Sequence, residues 1–280
     1  MAVITTEQKH KEAGRQHKND MNNELHILGC GSALPTFQNS PACQVLELCD
    51  KSFMIDCGEG SQIWFRRMAL RTARLYNIFI SHLHGDHCFG LIGLISTFGM
   101  MGRTQPLHIY APADLEKLLR PWLNYHCEGM AYEVIFHTIN PRKSEVIFED
   151  RTISVTTIPL KHKVPTCGFL FTEHHRDKEP VKRYAYCSDT QYTESIIPII
   201  DGVQTLYHEA TYIQQYAGRC KSTMHSTAEE AATIAQKAHV GQLIIGHYSA
   251  RVDDHTEFMK EAKAVFENTV MAKECTNYLI

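Results

Sequence analysis

The sequence predicts an α/β fold, on three observations. Short β-branched and aromatic runs alternate with stretches of helical spacing in both halves of the chain. The 280 residues, 44% hydrophobic and 21% charged, are enough for a substantial core and ordinary in composition. After residue 30 there is no repeat of solenoid period and no Pro/Ser/Gly-rich linker. Disorder, collagen and coiled coil are thereby excluded for the bulk of the chain. With 28 Lys+Arg against 31 Asp+Glu the net charge is -3, so only a local basic patch could serve nucleic acid. The 17 histidines are the unusual number.

Residues 1–22 are polar and without periodicity, and read as a flexible tail ahead of one domain over 23–280. They carry no apolar core of a secretory signal, and no stretch approaches the roughly 18 apolar residues of a membrane span. Ten cysteines without a CxxC pair are expected as reduced, small core residues of a soluble cytoplasmic protein.

Glu24–Leu28 opens the order as a strand ending in Gly-Cys-Gly-Ser. Cys43–Leu48 and Phe53–Asp56 follow as neighbouring strands across a turn at 49–52, and helical spacing runs from Gly60 to Leu75. Ile78–Ile80 is a buried-strand signal, and a helix is predicted over Phe89–Thr97. Strand, helix and strand recur at Leu107–Tyr110, Asp114–Tyr125 and Tyr132–Thr138. Val146–Leu160 reads as two antiparallel strands, and Gly168–Phe171 and Tyr184–Ser188 flank a hairpin insert at 172–183. Thr205–Tyr207 and Gln242–Ile245 are strands; Ala228–Ala238 and Asp254–Glu267 are helices.

The strongest chemical signal is Ser81-His82-Leu83-His84-Gly85-Asp86-His87, directly after an apolar strand. Three imidazoles and a carboxylate within six positions are foreign to any amphipathic pattern. Gly85 is expected to allow a tight backbone that aims them at one point. Such donors suit zinc, with manganese or iron as alternatives. His162, Asp189 and His247 each sit where a strand meets a loop, the usual place for sites in α/β sheets. Each alone would read as a satisfied structural residue; beside a cluster that needs partners they become ligand candidates. Cys88 adjoins the cluster, but Phe89 and Leu91 suggest that it faces the core.

HLHGDH followed by single His, Asp and His at strand ends resembles the metallo-β-lactamase superfamily. Closer still is the likeness to the ribonuclease Z family of tRNA 3′-processing endoribonucleases. It rests on Leu28–Ser32, Asp56–Gly60, Cys187–Thr190, His208–Thr211, His225–Ala228 and Gly246–Arg251, in family order across residues 25–255. The resemblance implies a four-layer αββα sandwich with two mixed sheets between helices. It implies that His82, His84 and His162 take one zinc ion, Asp86, His87 and His247 a second, and that Asp189 bridges them. Ions in such two-metal sites lie about 3.5–4 Å apart. It also implies a general-base role for Asp86, and a proton shuttle at His225 held by Glu209; read without it, Glu209 would be a capping or surface carboxylate and His225 a loop residue before a helix cap. A homodimer is implied as well.

Ser249 and Arg251, next to His247, are candidates for substrate phosphate; an interior ion pair is the alternative for Arg251. Arg67, Arg71 and Arg74, spaced i, i+4, i+7 on the predicted helix together with Arg66, could form a phosphate-binding stripe, or simply a solvated face. Lys161, Lys163, Lys182 and Arg183 could add to it. Two features depart from the family pattern. The interval from His162 to Asp189 is too short for a long tRNA-gripping arm, and the Ala33–Asn39 loop lacks basic residues. The leading expectation is a zinc-dependent endoribonuclease that removes 3′ extensions from tRNA precursors. The alternative is a metal-dependent phosphodiesterase or related hydrolase of small substrates. A metal-stabilised RNA-binding or scaffold protein is disfavoured by the complete ligand set.

Overall fold

The computed structural model describes residues 23–174, 181–252 and 254–280. The expected tail at 1–22 lies outside the described residues, as does the tip of the expected hairpin. Strands β1 (Glu24–Gly29), β2 (Cys43–Leu48), β3 (Lys51–Ile55), β4 (Leu75–Phe79), β5 (Leu107–Pro112), β6 (Val134–Ile139) and the last strand, β14 (Thr276–Leu279), form one seven-stranded sheet. Its order is β14-β1-β2-β3-β4-β5-β6, antiparallel up to β3 and parallel from β3 to β6. The second sheet holds β7 (Val146–Glu149), β8 (Ile153–Pro159), β9 (Cys167–Glu173), β10 (Arg183–Cys187), β11 (Thr205–Glu209), β12 (Gln242–Gly246) and β13 (Thr269–Met271). Its order is the reverse run from β13 to β7, with β10 to β13 parallel.

Alternation along the strands sorts the side chains into layers. Leu25, Ile27, Phe53 and Phe79 of the first sheet face Phe169, Phe171 and Tyr184 of the second, and the Phe79 ring lies 5.5 Å from both Phe169 and Phe171. Leu28, Val45, Met54 and Ile78 point the other way, onto Phe65 of α1 (Ser61–Arg67) and Leu91, Leu94 and Phe98 of α3 (Leu91–Met100). The second sheet is covered by α7 (Ala228–Lys237), whose Ala231, Ala232 and Ala235 are fully buried. Helices outside two mixed sheets make the four-layer αββα sandwich that the resemblance implied. The remaining helices are α2 (Gly85–Cys88), α4 (Asp114–His126), α5 (Ile197–Ile200), α6 (Ala217–Thr223) and α8 (Thr256–Val265).

Several elements differ from the sequence reading. The helix expected over 60–75 ends at Arg67, because Ala69 takes a left-handed conformation (φ 54°) while the Ala69 and Leu70 N–H groups fold back onto the Arg66 and Phe65 carbonyls. That is a helix stop of the kind usually marked by glycine, here with alanine, so the sequence carried no glycine signal. Arg71 is then extended (φ -86°, ψ 110°) and Arg74 closes a separate 3₁₀ turn, so the Arg67–Arg71–Arg74 stripe does not exist. Arg67 stacks on Trp64 and Arg74 lies 3.8 Å from Asp50. The helix expected from Phe89 instead begins at Leu91, and Phe89 is 71% exposed rather than packed inward. Cys88 is buried as expected, and the ten cysteines are all free, most of them buried.

Candidate metal centre

The site lies along one edge of the sandwich, at the C-terminal ends of β3, β4, β8, β10, β11 and β12. Those ends deliver Asp56, Ser81–His87, His162, Asp189, Glu209 and His247 respectively. Four non-glycine residues there are held in left-handed backbone: Asp56 (φ 56°), Asp189 (φ 40°), Met224 (φ 59°) and His247 (φ 63°). Such strain, about 1–3 kcal/mol per residue, persists where the surroundings impose it, and it is a mark of functional sites. Gly85 admits a close approach. Its φ is not left-handed; a Cβ there would meet the exposed Phe89 ring at 2.4 Å.

Two groups of donors converge, and a third overlaps them, uniting His225 with Asp189 and His247. His82, His84, His162 and Asp189 offer atoms within 4.8 Å of one another, and so do Asp86, His87 and His247. Asp189 faces both groups. Its Oδ2 lies 3.6 Å from His82 Nε2 and 3.5 Å from His162 Nε2, and its Oδ1 lies 3.1 Å from both His87 Nε2 and His247 Nε2. Asp86 Oδ2 is 3.4 and 3.5 Å from the same nitrogens of His87 and His247.

The hydrogen bonds behind these residues decide which nitrogen each imidazole presents. Asp56 accepts from His87 Nδ1–H (2.8 Å), the Ser81 N–H (2.8 Å), the Ser81 hydroxyl (2.9 Å) and the Tyr186 hydroxyl (2.7 Å). With its proton given to Asp56, the Ser81 hydroxyl accepts from His82 Nδ1–H at 3.0 Å. The Thr211 hydroxyl donates to Glu209 (2.6 Å) and accepts from His247 Nδ1–H (2.9 Å), while His162 Nδ1–H donates to the Met224 carbonyl (3.0 Å). Four Nε2 atoms thus face the carboxylates, the arrangement that outer hydrogen bonds create around metal-bound histidine; those of His82 and His162 also converge on His84 Nδ1, at 2.9 and 3.2 Å. The Nε2 atoms of His87 and His247 are buried without any hydrogen-bond partner. Bare lone pairs facing carboxylate oxygens repel until a cation lies between them, so the donor set fits divalent metal.

Electrostatics agree. Burial, with His87 beside it, lowers the pKa of His82 well below its ordinary value, keeping it an available ligand. Burial alone would raise the Asp86 carboxyl, but His87 and His247 hold it far below the usual range. Burial likewise opposes a charge on His87, yet Asp189, Asp56 and Asp86 together raise its pKa well above normal. The centre takes up positive charge, as a proton or as a metal ion.

His225 and Glu209 stand beside it. Glu209 is fully buried, and His225 Nδ1 lies 2.8 Å from its Oε1. The turn into α7 sets this contact. Thr227 caps the helix through a reciprocal capping box with Glu230, and the preceding Ser226 N–H donates to Glu209 at 3.1 Å. Glu209 is therefore neither a helix cap nor a surface carboxylate. Burial disfavours the charged imidazole, but Glu209 raises the His225 pKa to about 9.

A cavity of about 740 Å³ opens over these groups, and Ser249 and Arg251 line it. Arg251 makes no ion pair among the described residues; only its backbone N–H is engaged, with Ser249 Oγ. Lys163 and Arg219 line the cavity too, whereas Arg67, Arg71 and Arg74 do not. Arg183 is spent on the Asp201 and Ile199 carbonyls. Sequence reasoning gave no role to Asp56, Thr211, Arg219 or the Met224 carbonyl. A strand-end carboxylate was a usable signal for Asp56; nothing local announced the others.

Fold and donor set together define a metal-dependent hydrolase of the metallo-β-lactamase fold. The profile of the family described as Anti-Pycsar protein Apyc1 matches residues 23–271. Ribonuclease Z of Bacteroides fragilis is 48% identical, over 90% of this chain and 97% of its own length. Ribonuclease Z of Porphyromonas gingivalis is 44% identical, over 89% and 96%. Human tRNase Z, short form, superposes with a TM-score of 0.79 at 25% identity, covering 92% of this chain and 99% of that one. The chain belongs to the ribonuclease Z family, whose members are endoribonucleases of the hydrolase class.

Proposed function

We propose that the protein removes 3′ extensions from tRNA precursors by hydrolysing one phosphodiester at a centre for two zinc ions. The observation that carries this is Asp189, whose two oxygens face two separate donor groups. The substrate comes from the relatives' names, ribonuclease Z and tRNase Z. His82, His84 and His162 would hold one ion, Asp86, His87 and His247 the other, and Asp189 would be shared; manganese or iron suits the same donors. Bound there, the ions would activate a water and offset charge at the phosphate.

The chain's own residues do the rest. Asp86, fixed by the Ala33 N–H at 2.9 Å and open to the cavity, orients the attacking water and takes its proton. His225 delivers a proton to the leaving oxygen, since at neutral pH Glu209 keeps its imidazole charged. Arg251 and Ser249, joined by Lys163 and Arg219, form the basic rim that receives phosphates. A homodimer and a cytoplasmic location belong to the same reading; no helix among the described residues is long and apolar enough to cross a membrane.

One observation favours hydrolysis of small phosphodiesters instead. Between His162 and Asp189 the chain runs through β9 and β10, and residues 174–182 between them are too few for a long arm. The test is to incubate the protein with a 3′-extended tRNA precursor and, separately, with bis(p-nitrophenyl) phosphate. Cleavage at the end of the acceptor stem is expected. Hydrolysis of the ester with the precursor intact would replace the first reading by the second.

A further inference from the structure

On the outer face of the first sheet, far along the chain from the centre, β1, β2 and β14 bring together a second set of donors. Glu24 and His26 alternate onto one face of β1; Glu47 pairs with Glu24 across β2, and Asn277 pairs with His26 across β14. Two carboxylates directly opposite each other on neighbouring strands repel, so the position needs a positive charge between them. His26 is only 5% exposed, and its Nε2 is buried with no hydrogen-bond partner. That nitrogen points between Glu47 Oε2 at 3.6 Å and Glu24 Oε2 at 3.8 Å.

Two occupants can supply that charge, a proton and a metal ion. An imidazolium bonded to a carboxylate sits at about 2.7–2.9 Å, and both contacts are far longer. Ligand atoms about 2.0–2.2 Å from a tetrahedral zinc ion are about 3.3–3.6 Å from one another; the Glu47 separation meets that limit and the Glu24 separation, at 3.8 Å, lies just beyond it. The corresponding separations at the main centre, between Asp86 or Asp189 oxygens and His87, His247, His82 and His162, run from 3.1 to 3.6 Å. The tautomer also matches. His26 Nδ1 lies 2.9 Å from Asn277 Oδ1, an acceptor, so Nδ1 carries the proton and Nε2 the lone pair. Asn277 Nδ2 in turn donates to Glu24 Oε2 (3.4 Å) and the Ser52 hydroxyl donates to Glu47 Oε1 (3.3 Å), orienting both carboxylates as outer-shell partners do.

From this geometry we propose that Glu24, His26 and Glu47 form a peripheral site for one divalent transition-metal ion of the zinc type, with water completing the coordination. Both glutamates are about a quarter exposed, which leaves the outer side of the site open to solvent. A proton is the competing occupant: burial disfavours it, but Glu47, Asn277 and Glu24 raise the His26 pKa overall.

The test uses zinc on the whole protein with its catalytic centre already loaded. Wild type, His26→Gln and Glu47→Gln are dialysed against zinc in the tens of micromolar and their metal content is measured. Wild type is expected to retain one ion per chain more than either variant, with hydrolysis of bis(p-nitrophenyl) phosphate equal in all three. Should the buried His26→Gln change unfold the chain, Glu47→Gln at the sheet surface carries the comparison. Equal zinc content in wild type and Glu47→Gln overturns the proposal. So does an imidazolium signal from both ring nitrogens of His26 in zinc-containing buffer.

Discussion

His225 Nδ1 meets Glu209 Oε1 at 2.8 Å, and the same carboxylate accepts from the N–H groups of Thr190 (2.6 Å), Thr211 (3.2 Å) and Ser226 (3.1 Å) and from the Thr211 hydroxyl (2.6 Å). A carboxylate so anchored cannot rotate, and neither can the imidazole it holds. Because Thr211 also accepts from His247, the His225–Glu209 pair and His247 share one network.

Replacing His225 by Ala removes the proposed proton donor while leaving the contacts of Asp189 with His82, His87, His162 and His247 in place. Turnover of the tRNA precursor should fall by about 10²–10⁴, with metal content as in wild type. Unchanged turnover would remove His225 from the chemistry.

Glu209→Gln removes the charge that sustains the His225 imidazolium. In metal-free protein, NMR titration should place His225 near 9 in wild type and markedly lower in the variant. A general acid works protonated, so activity should fall on the alkaline side, and the variant should lose it at lower pH. The stability that the pair contributes has the same sign. The folded pKa lies above the unfolded value of about 6.5, so the contribution is complete below that pH and fades as pH rises through about 9. Identical alkaline limbs in the two proteins would contradict this.

Asp56→Ala should act through His87. It deprives Nδ1 of its acceptor and strands the Ser81 and Tyr186 hydroxyls. Metal affinity should drop by about 10–100-fold, and unfolding should become easier by about 1–3 kcal/mol per stranded group. Competition with a chelator and a melting curve measure the two effects.

The basic rim separates the two sets of arginines. Arg251→Ala and Arg219→Ala should raise the KM for tRNA precursor and each lower the salt dependence of binding by about one contact. Arg67→Ala, Arg71→Ala and Arg74→Ala, away from the cavity, should change neither. The reverse pattern would move the RNA path to the α1 side.

Much of this centre could be read from sequence because its donors are covalently close or stand at strand ends. His82 to His87 sit on one short loop, and apolar runs ending at His162, Asp189 and His247 announced their positions. The arginine stripe failed because Ala69 ends α1 through backbone geometry that no residue type signalled. Thr211 and the Met224 carbonyl acquire their roles only when β11, α6 and β8 converge, and β13 and β14 are short edge strands with few apolar residues. Nothing in the sequence marks His26, since its partners Glu47 and Asn277 lie 21 and 251 positions away.

On the proposed reading, Asp189 would be shared by two metal ions. Crystals of the zinc-loaded protein, measured at the zinc absorption edge, test it most directly. Two anomalous peaks are expected beside the Asp189 carboxylate, one among His82, His84 and His162, the other among Asp86, His87 and His247. A single peak, or peaks that leave Asp189 uncoordinated, would contradict it.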